Sequence, residues 1–199
     1  MRLTYLSHAC FELRNGQIIL IDPYLSGNKL APNYEGKPDL ILVTHEHSDH
    51  ADASGFNAMV IAPATCKFSK MLAMKVGDVK NFNGITIQMV GASHRQSKYA
   101  TRYLITYGGK RFYHTGDTYL DGIKNYGNID IMFVPIGGHY TMNINEAIKS
   151  LDVVKPRIAT PMHYNTFSEI KANPKEFQAK AEKQGFKIQL MEPGQSINV

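Results

Sequence analysis

The chain contains 199 residues, of which 43% are hydrophobic and 20% are charged. This length and composition predict one compact domain, residues 1–199, and exclude collagens, coiled coils, disordered polymers and small disulfide-stapled proteins. Lys and Arg total 22 against 17 Asp and Glu, which gives a formal net charge of +5 with neutral histidines. Because the basic residues are scattered rather than clustered, this charge alone does not indicate a nucleic-acid-binding protein.

Cysteine usage and hydropathy bear on the compartment in which the protein acts. The only two cysteines, Cys10 and Cys66, lie far apart in the sequence. We expect inert free thiols in a reducing compartment, with a single disulfide as the alternative. The longest apolar stretches, 18–21 and 129–136, are much shorter than the ~20 residues of a membrane span. Residues 1–13 do not have the pattern of a secretory signal. We therefore expect a cytoplasmic protein that does not interact with a membrane.

Short apolar runs separated by turn signals predict many strands in the first half of the chain. The turn signals are Asn15-Gly16, Asn83-Gly84 and Gly108-Gly109. The predicted strands span residues 3–6, 9–13, 17–21, 40–43, 59–61, 85–90, 103–107 and 111–113. Between the fifth and the sixth of these strands, we predict a helix over residues 65–75 that ends at Gly77 and carries Cys66.

The second half of the chain combines two predicted helices with further strands. Apolar residues recur at helical spacing from Ile144 to Val154, and a proline two residues later closes this helix. Asn173 is placed to cap another helix, with Pro174 at its first position and Gly185 beyond its end. The predicted strands span residues 129–135, 157–161, 187–191 and 196–199. Many short strands and few, late helices favour a mixed-sheet sandwich flanked by helices over a doubly wound sheet.

A dense group of potential metal ligands follows the predicted buried strand 40–43. The segment reads Thr44-His45-Glu46-His47-Ser48-Asp49-His50. In an extended loop, His45 and His47 point to the same side because side chains alternate, so both can bind one ion. Asp49 and His50 come after the turn and can face a second ion. Imidazole nitrogens and carboxylate oxygens together suit Zn²⁺, and also Fe, Mn or Ni.

The alternative interpretation of this segment is a polar loop that caps a following helix. Ser48, Asp49 and Asp52 are suitable capping residues. Capping requires only one such residue, however, whereas four titratable groups that can bind a metal lie within six positions of this segment. Metal binding therefore explains the segment better than capping does.

Three further polar residues, His94, Asp117 and His163, each come directly after a predicted strand. Taken singly, each is more often a hydrogen-bonded loop residue than a metal ligand. Together with the first segment, they supply the additional ligands that two ions need.

These motifs, taken in chain order, resemble the metallo-β-lactamase superfamily. The resemblance covers essentially the whole chain, through His-x-His-x-Asp-His at 45–50, then His94, a Gly-Asp-Thr at 116–118 and His163. It implies a four-layer αββα sandwich of two mixed β-sheets flanked by helices, with a dinuclear metal site at the sheet edges. By this match, one ion is bound by His45, His47 and His94, and the other by Asp49, His50 and His163, with Asp117 bridging both.

The same resemblance implies a hydrolase that uses two divalent ions, first of all Zn²⁺, with Mn, Fe or Ni as alternatives. Two adjacent dications lower the pKa of a shared water, and the resulting bridging hydroxide attacks a carbonyl carbon or a phosphorus. Asp49 would orient this water and pass a proton to the leaving group. Segments 7–11, 133–138 and 161–167 look like those of small metal-dependent hydrolases similar to ascorbate-6-phosphate lactonase.

Departures from better-known branches of the superfamily narrow the expected substrate. Asp117 stands where the best-known zinc β-lactamases have Cys, which argues against lactam hydrolysis. We expect a small ester, lactone or phosphoester, with anionic molecules included. Two alternatives stay open: a phosphodiesterase or nuclease, for which nucleic acid is the less favoured partner, and a non-enzymatic metal-bound scaffold or sensor. The sequence is also compatible with a homo-oligomer.

Three histidines have no place in the predicted ligand set. His8 and His139 flank turns of small residues and are candidates for contacting the substrate or orienting the ligands, as is Tyr164. For His114, whose predicted strand position suggests burial, we favour a structural role.

Overall fold

A computed structural model describes all residues from 1 to 199. Two β-sheets contain most of the regular structure, and two α-helices follow late in the chain. The strands are β1 (Arg2–Tyr5), β2 (Phe11–Asn15), β3 (Gln17–Ile21), β4 (Leu40–Leu42), β5 (Met59–Pro63), β6 (Met71–Met74), β7 (Val79–Phe82), β8 (Ile85–Gly91), β9 (Thr101–Tyr107), β10 (Lys110–His114), β11 (Ile131–Pro135), β12 (Ile158–Met162) and β13 (Ser196–Asn198). The helices are α1 (Ile144–Val154) and α2 (Pro174–Lys183), with 3₁₀ turns at Leu120–Gly122 and Ser168–Ile170. Neither helix combines the length and the hydropathy needed to cross a bilayer.

Each sheet combines parallel and antiparallel strands. The first sheet has the order β13-β1-β2-β3-β4-β5-β6, and the second has the order β12-β11-β10-β9-β8-β7. Strands β3 to β6 pair in parallel in the first sheet, as do β10, β11 and β12 in the second. β1 runs with β3 because both are antiparallel to β2, and β8 runs with β10 because both are antiparallel to β9. Within each sheet, the carboxyl ends of these strands therefore lie at one edge.

Three apolar clusters hold the layers together. The largest lies between the sheets, where Phe11 of the first sheet stacks on Phe133 of the second with ring centroids 4.1 Å apart. Another packs α1 and α2 against the outer face of the second sheet. On the outer face of the first sheet, loop side chains such as Tyr34 and Phe56 take the place of a helix. The predicted two-sheet sandwich is thus confirmed, with α-helices on one of its outer faces.

Both α-helices begin where the sequence predicts. The side chain of Asn143 accepts a hydrogen bond from the backbone of Glu146, whose own side chain accepts one from the backbone of Asn143. This reciprocal capping box stabilises the first turn of α1. At α2, the Asn173 side chain accepts hydrogen bonds from Lys175 N and Glu176 N, and Pro174 occupies the first turn. Apolar residues at helical spacing place α1, and the Asn173-Pro174 cap places α2, so local sequence features are sufficient to predict both helices.

The helix predicted over residues 65–75 is wrong. This segment, which includes Cys66, forms turns and then β6, which pairs in parallel with β5. The Met and Leu residues of β6 suit a helix, but pairing along the edge of β5 outweighs their local propensity.

Two further strand assignments differ from the prediction. The strand predicted over residues 187–191 is wrong, because only Ile188 forms an isolated bridge, with Ala159. Sequence pattern also misses β7, whose residues Lys80 and Asn81 are polar and exposed. β7 is an edge strand that contributes little to the core, so it lacks the apolar alternation on which strand prediction depends.

Candidate metal centre

Six chain segments reach one edge of the sandwich with polar side chains that converge there. In the first sheet, β1, β3 and β4 are followed by His8, Asp22 and the segment 45–50. In the second sheet, β8, β10 and β12 are followed by His94, Asp117 and His163. These strands all end at the same edge, so residues far apart in sequence become neighbours.

The structure brings together all seven side chains predicted as metal ligands. Their potential donor atoms form three overlapping groups, and within each group these atoms lie within 4.8 Å of one another. The groups are His45, His47 and His94; His45, His50 and Asp117; and His8, Asp49, His50 and His163. The first group matches the ligand set predicted for one ion. The last contains the set predicted for the other ion and adds His8.

The spacing of these donor atoms suits a divalent cation. Two ligand atoms that each lie about 2.1 Å from one ion are about 3.0 Å apart at a right angle and about 3.4 Å apart at the tetrahedral angle. His45 Nε2 and His47 Nδ1 are 3.0 Å apart. Asp117 Oδ2 lies 3.1 Å from His163 Nε2, and its Oδ1 lies 3.3 Å from His50 Nε2. A longer distance of 4.0 Å separates Asp117 Oδ2 from His45 Nε2. Asp117 therefore lies between the two histidine groups.

Hydrogen bonds on the outer side of two rings determine which nitrogen is free. His47 Nε2 donates to the carbonyl oxygen of Gln96, and His94 Nδ1 donates to that of Tyr140, each at 3.2 Å. A carbonyl oxygen can only accept, so each neutral ring carries its proton on the outer nitrogen. The inner nitrogen of each ring then keeps a lone pair that can bind a metal.

Asp22 orients His45 and His50 through hydrogen bonds on the side of each ring that faces away from the centre of the site. Its carboxylate accepts hydrogen bonds from Thr44 N and Thr44 Oγ1, both at 2.7 Å, and from His50 Nδ1 at 2.8 Å. Because the Thr44 hydroxyl gives its proton to Asp22, it accepts from His45 Nδ1, which is 3.0 Å away. The Nε2 atoms of His45 and His50 are thereby the ones that face the centre.

The charge of Asp22 depends on this network. Complete burial alone would raise the pKa of Asp22, but the charge and hydrogen bond of His50 lower it below the usual range. Burial would lower the pKa of His50, but Asp117 and Asp22 raise it well above the usual value. These carboxylates favour a positive charge at His50 Nε2, where a bound dication would replace the proton.

Sequence reasoning misses Asp22, although a signal for it exists. Asp22 is the first residue after the buried strand β3, and Asp117 likewise comes soon after the end of β10. An acidic residue at the end of a strand is therefore the signal that the two share. Its backbone φ of 43° lies in the left-handed region, which costs about 1–3 kcal/mol for a residue other than glycine. The surrounding hydrogen bonds must hold this conformation in place.

Buried atoms without hydrogen-bond partners lie at the centre of the site. They include the Nε2 atoms of His50, His94 and His163 and the Oδ1 atom of Asp117. Burial alone would raise the pKa of Asp117, but His163 and His50 hold it well below its usual range, so the carboxylate is charged. Burial lowers the pKa of His45 to about 3, which keeps that ring neutral. Such atoms are costly to bury without a partner, and this donor set fits a divalent transition metal.

The loop that carries His94 is fixed from two sides. The carboxylate of Glu46 accepts hydrogen bonds from Lys98 N at 2.8 Å and from Ser97 Oγ at 3.0 Å. On the other side, Ser93 N donates to Thr118 Oγ1 at 3.1 Å. Glu46, the acidic residue between His45 and His47 in the sequence, therefore positions the loop of a third histidine rather than facing the metal centre.

A buried arginine connects two loops of the site. Arg102 is fully buried, and its guanidinium donates to the carbonyl oxygens of Gly91 and Gly122 and to the Tyr113 hydroxyl. Replacement by Met leaves both carbonyl oxygens without this donor. Each unsatisfied buried oxygen lowers the stability of the folded state by about 1–3 kcal/mol. We therefore expect Arg102→Met to lower the free energy of unfolding, measured in urea, by about 2–6 kcal/mol.

The matched control for this prediction is Arg157→Met. The side chain of Arg157 is 78% exposed and pairs with Asp130 at the surface, so its loss should cost less than about 1 kcal/mol. Equal effects of the two substitutions would contradict the role assigned to Arg102.

Gly137 keeps the backbone of His163 in its place. A Cβ atom at residue 137 would overlap the carbonyl oxygen of His163 and lie 2.9 Å from Cβ of Ile170. We expect Gly137→Ala to destabilise the fold by about 1–3 kcal/mol through overpacking and to weaken metal binding by displacing His163. Thermal unfolding and metal titration measure these two effects. Gly55→Ala is the control, because nothing lies within 4 Å of that position. Unchanged metal affinity in Gly137→Ala would show that Gly137 does not hold His163 in position for the metal.

An open cleft of about 280 Å³ leads to the converging side chains. It is lined by His47, Ser48, Asp49, His94, Gln96, Asp117, Tyr140, His163 and Phe167. Tyr140 and Phe167 form its aromatic part, and Tyr24 stacks on Phe167 with ring centroids 5.9 Å apart. Lys and Arg are absent from this lining. A substrate in this cleft therefore meets histidine side chains but no lysine or arginine.

The four remaining residues considered from the sequence, His8, His114, His139 and Tyr164, occupy different positions relative to the site. His139 is exposed and contacts Tyr140 edge-on, outside the cleft lining. Tyr164 packs beside the cluster that holds the helices, and burial raises its pKa to about 12. His114 is fully buried and its Nε2 atom lies 2.8 Å from a backbone carbonyl oxygen near β2, as expected for a structural role. His8 alone contacts the predicted ligands.

Comparisons with known proteins identify relatives of this chain. The family model for the beta-lactamase superfamily domain matches residues 2–163. A UPF0173 metal-dependent hydrolase from Archaeoglobus fulgidus is 36% identical, with 98% of each chain covered. Another from Pyrococcus furiosus is 37% identical, with 100% of each chain covered. The solved structure of Igni18, a metallo hydrolase from Ignicoccus hospitalis, is 30% identical with a TM-score of 0.87, and the match covers 98% of this chain and 97% of that one. The chain therefore belongs to the beta-lactamase superfamily and, within it, to the UPF0173 metal-dependent hydrolases.

Proposed function

We propose that this metal-dependent hydrolase cleaves a small, uncharged ester or lactone with the aid of two divalent ions. Zn²⁺ is the first candidate, and Mn, Fe and Ni are alternatives. The proposed ligands are His45, His47, Asp49, His50, His94, Asp117 and His163. The convergence of their nitrogen and oxygen atoms beside an open cleft is the observation that supports this proposal. When bound, such ions supply the Lewis acidity that activates water near neutral pH.

Asp49 is the proposed proton carrier. Unlike His45 and His50, it lines the cleft, and its side chain is 21% exposed. One of its carboxylate oxygens lies 3.2 Å from His8 Nε2. From this position, Asp49 can accept a proton from the attacking water and pass it to the leaving oxygen.

The cleft lining supports the choice of an uncharged substrate. Proteins commonly bind phosphate groups with Arg, Lys or the N-terminus of a helix, and the lining contains neither basic residue. Tyr140 and Phe167 instead offer an aromatic surface for an apolar part of the substrate. The same absence of basic residues disfavours the nuclease alternative. An open approach to the ligands favours an enzyme over a metal-bound scaffold, because structural metal sites are usually closed.

A substrate comparison tests this proposal. Zinc-loaded protein is assayed with p-nitrophenyl acetate, dihydrocoumarin and bis-p-nitrophenyl phosphate. We expect kcat/KM to be higher for the ester and the lactone than for the phosphodiester. Faster hydrolysis of the phosphodiester would overturn the substrate class, and no turnover by fully loaded protein would favour the scaffold.

Asp49→Asn tests the proton carrier in the same assay. We expect kcat to fall by about 10²–10⁴-fold, the usual contribution of a general acid or base. Metal content is measured alongside, and Ser48→Ala serves as the control because Ser48 also lines the cleft. An unchanged kcat in metal-loaded Asp49→Asn would contradict the role.

A reducing, cytoplasmic location is also part of the proposal. Cys10 and Cys66 are both free and buried. Burial raises the pKa of both thiols, that of Cys66 to about 12, which makes them poor nucleophiles at neutral pH. Such thiols are compatible with a compartment in which cysteines stay reduced.

A further inference from the structure

His8 occupies a constrained position in the loop between β1 and β2. Its φ is 57° and that of Ser7 is 92°, so two consecutive residues other than glycine adopt left-handed conformations. The His8 carbonyl oxygen accepts hydrogen bonds from His163 N at 2.8 Å and from the Tyr5 hydroxyl at 3.2 Å. The backbone of His8 is thereby tied directly to that of a proposed metal ligand.

The ring of His8 is oriented like those of the proposed ligands. It is fully buried, and its centroid lies 4.0 Å from that of His163. Its Nδ1 atom lies 2.6 Å from Thr166 Oγ1 on the outer side. Its Nε2 atom points inward, 3.2 Å from Asp49 Oδ2. This Nε2 atom is buried and does not meet the geometry of a hydrogen bond.

We propose that His8 is an eighth metal ligand, which binds the second ion together with Asp49, His50 and His163. The donor atoms of these four residues all lie within 4.8 Å of one another. The 3.2 Å between His8 Nε2 and Asp49 Oδ2 falls between the about 3.0 Å and about 3.4 Å expected for two ligands of one ion at right and tetrahedral angles. A proton on Nδ1, donated to Thr166, leaves the Nε2 lone pair free for the metal. This inference rests on the metal centre of the proposed function.

The extra ligand makes the two metal positions unequal. The second position gains one protein ligand relative to the set predicted from sequence. We therefore expect the second position to bind its ion more tightly than the first and to fill first in a titration. The alternative is that His8 only orients Asp49 by a hydrogen bond.

His8→Ala and His8→Gln distinguish these roles. A glutamine amide can still donate to Asp49, so it should rescue an orienting role, but it cannot replace an imidazole ligand. We expect both variants to weaken the tighter site at least about tenfold in Co²⁺ titrations followed by visible absorption. X-ray absorption with both positions filled by Co²⁺ should show fewer histidines per ion, on average, than in the wild-type protein. His139→Ala, which removes an exposed histidine, should leave both measurements unchanged.

The outcomes separate this inference from the proposed function. Wild-type affinity and histidine number in both His8 variants would overturn the inference while leaving the metal centre intact. Rescue by Gln but not by Ala would also overturn it in favour of orientation of Asp49. If His8→Ala does not fold, the spectrum of His8→Gln decides. A wild-type protein that binds no Co²⁺ would instead overturn the proposed function.

Discussion

Asp117→Ala is expected to abolish hydrolysis and to reduce metal binding to at most one weakly held ion per chain. The carboxylate of Asp117 lies 3.1 Å from His163 Nε2 and 3.3 Å from His50 Nε2, and it is the acidic group between the histidine clusters. Its removal takes away the one negative charge proposed to be shared by both ions. Because loss of an outer-shell partner already costs about 10–100-fold in metal affinity, we expect loss of this ligand to cost at least about 100-fold. Equilibrium dialysis with elemental analysis measures the bound metal.

Asp121→Ala is the matched control for this substitution. Asp121 is an exposed acidic residue four positions further along the chain. The Asp121→Ala variant should retain wild-type metal content and activity. Circular dichroism shows whether each variant is folded. A folded Asp117→Ala protein that retained two ions and wild-type turnover would contradict the bridging role of Asp117.

Asp22→Ala is expected to destabilise the protein and to weaken metal binding together. Three buried donors, on Thr44 and His50, lose their acceptor in this variant. At about 1–3 kcal/mol for each unsatisfied group, the free energy of unfolding should fall by at least about 3 kcal/mol. His45 and His50 also lose their orientation, so we expect metal affinity to fall by about 10–100-fold.

Asp22→Asn separates the two effects if the alanine variant does not fold. An amide oxygen can still accept a hydrogen bond, but it carries no charge to support a metal-bound His50. We expect a smaller loss of stability and a clear loss of metal affinity. Asp152→Asn, at an exposed position on α1, is the control. Unchanged metal affinity in both Asp22 variants would show that the carboxylate does not support the centre.

The ligand set could be predicted from sequence because it depends on local features. His45, His47, Asp49 and His50 lie in one short segment, and each of the other three proposed ligands lies within three residues of the end of a strand. The resemblance to a known superfamily then ordered these residues into two groups. The structure brings the same residues together, since the strands before them share one sheet edge.

Features that depend on tertiary contacts were not predictable. Asp22 acts through His50 and Thr44, and its sequence context of a polar residue after a strand is shared by many loop residues. The residues of β6 favour a helix by local propensity, whereas pairing with β5 determines their structure. The contact between His8 and Asp49 joins loops that are far apart in sequence, so no spacing rule indicates it.

Metal stoichiometry, measured together with activity, tests the account most directly. Metal-free wild-type protein is titrated with Zn²⁺, and bound metal and hydrolysis of p-nitrophenyl acetate are recorded at each point. The account predicts two ions per chain at saturation, with full activity reached only when both positions are filled. Saturation at one ion per chain with full activity would contradict the dinuclear centre.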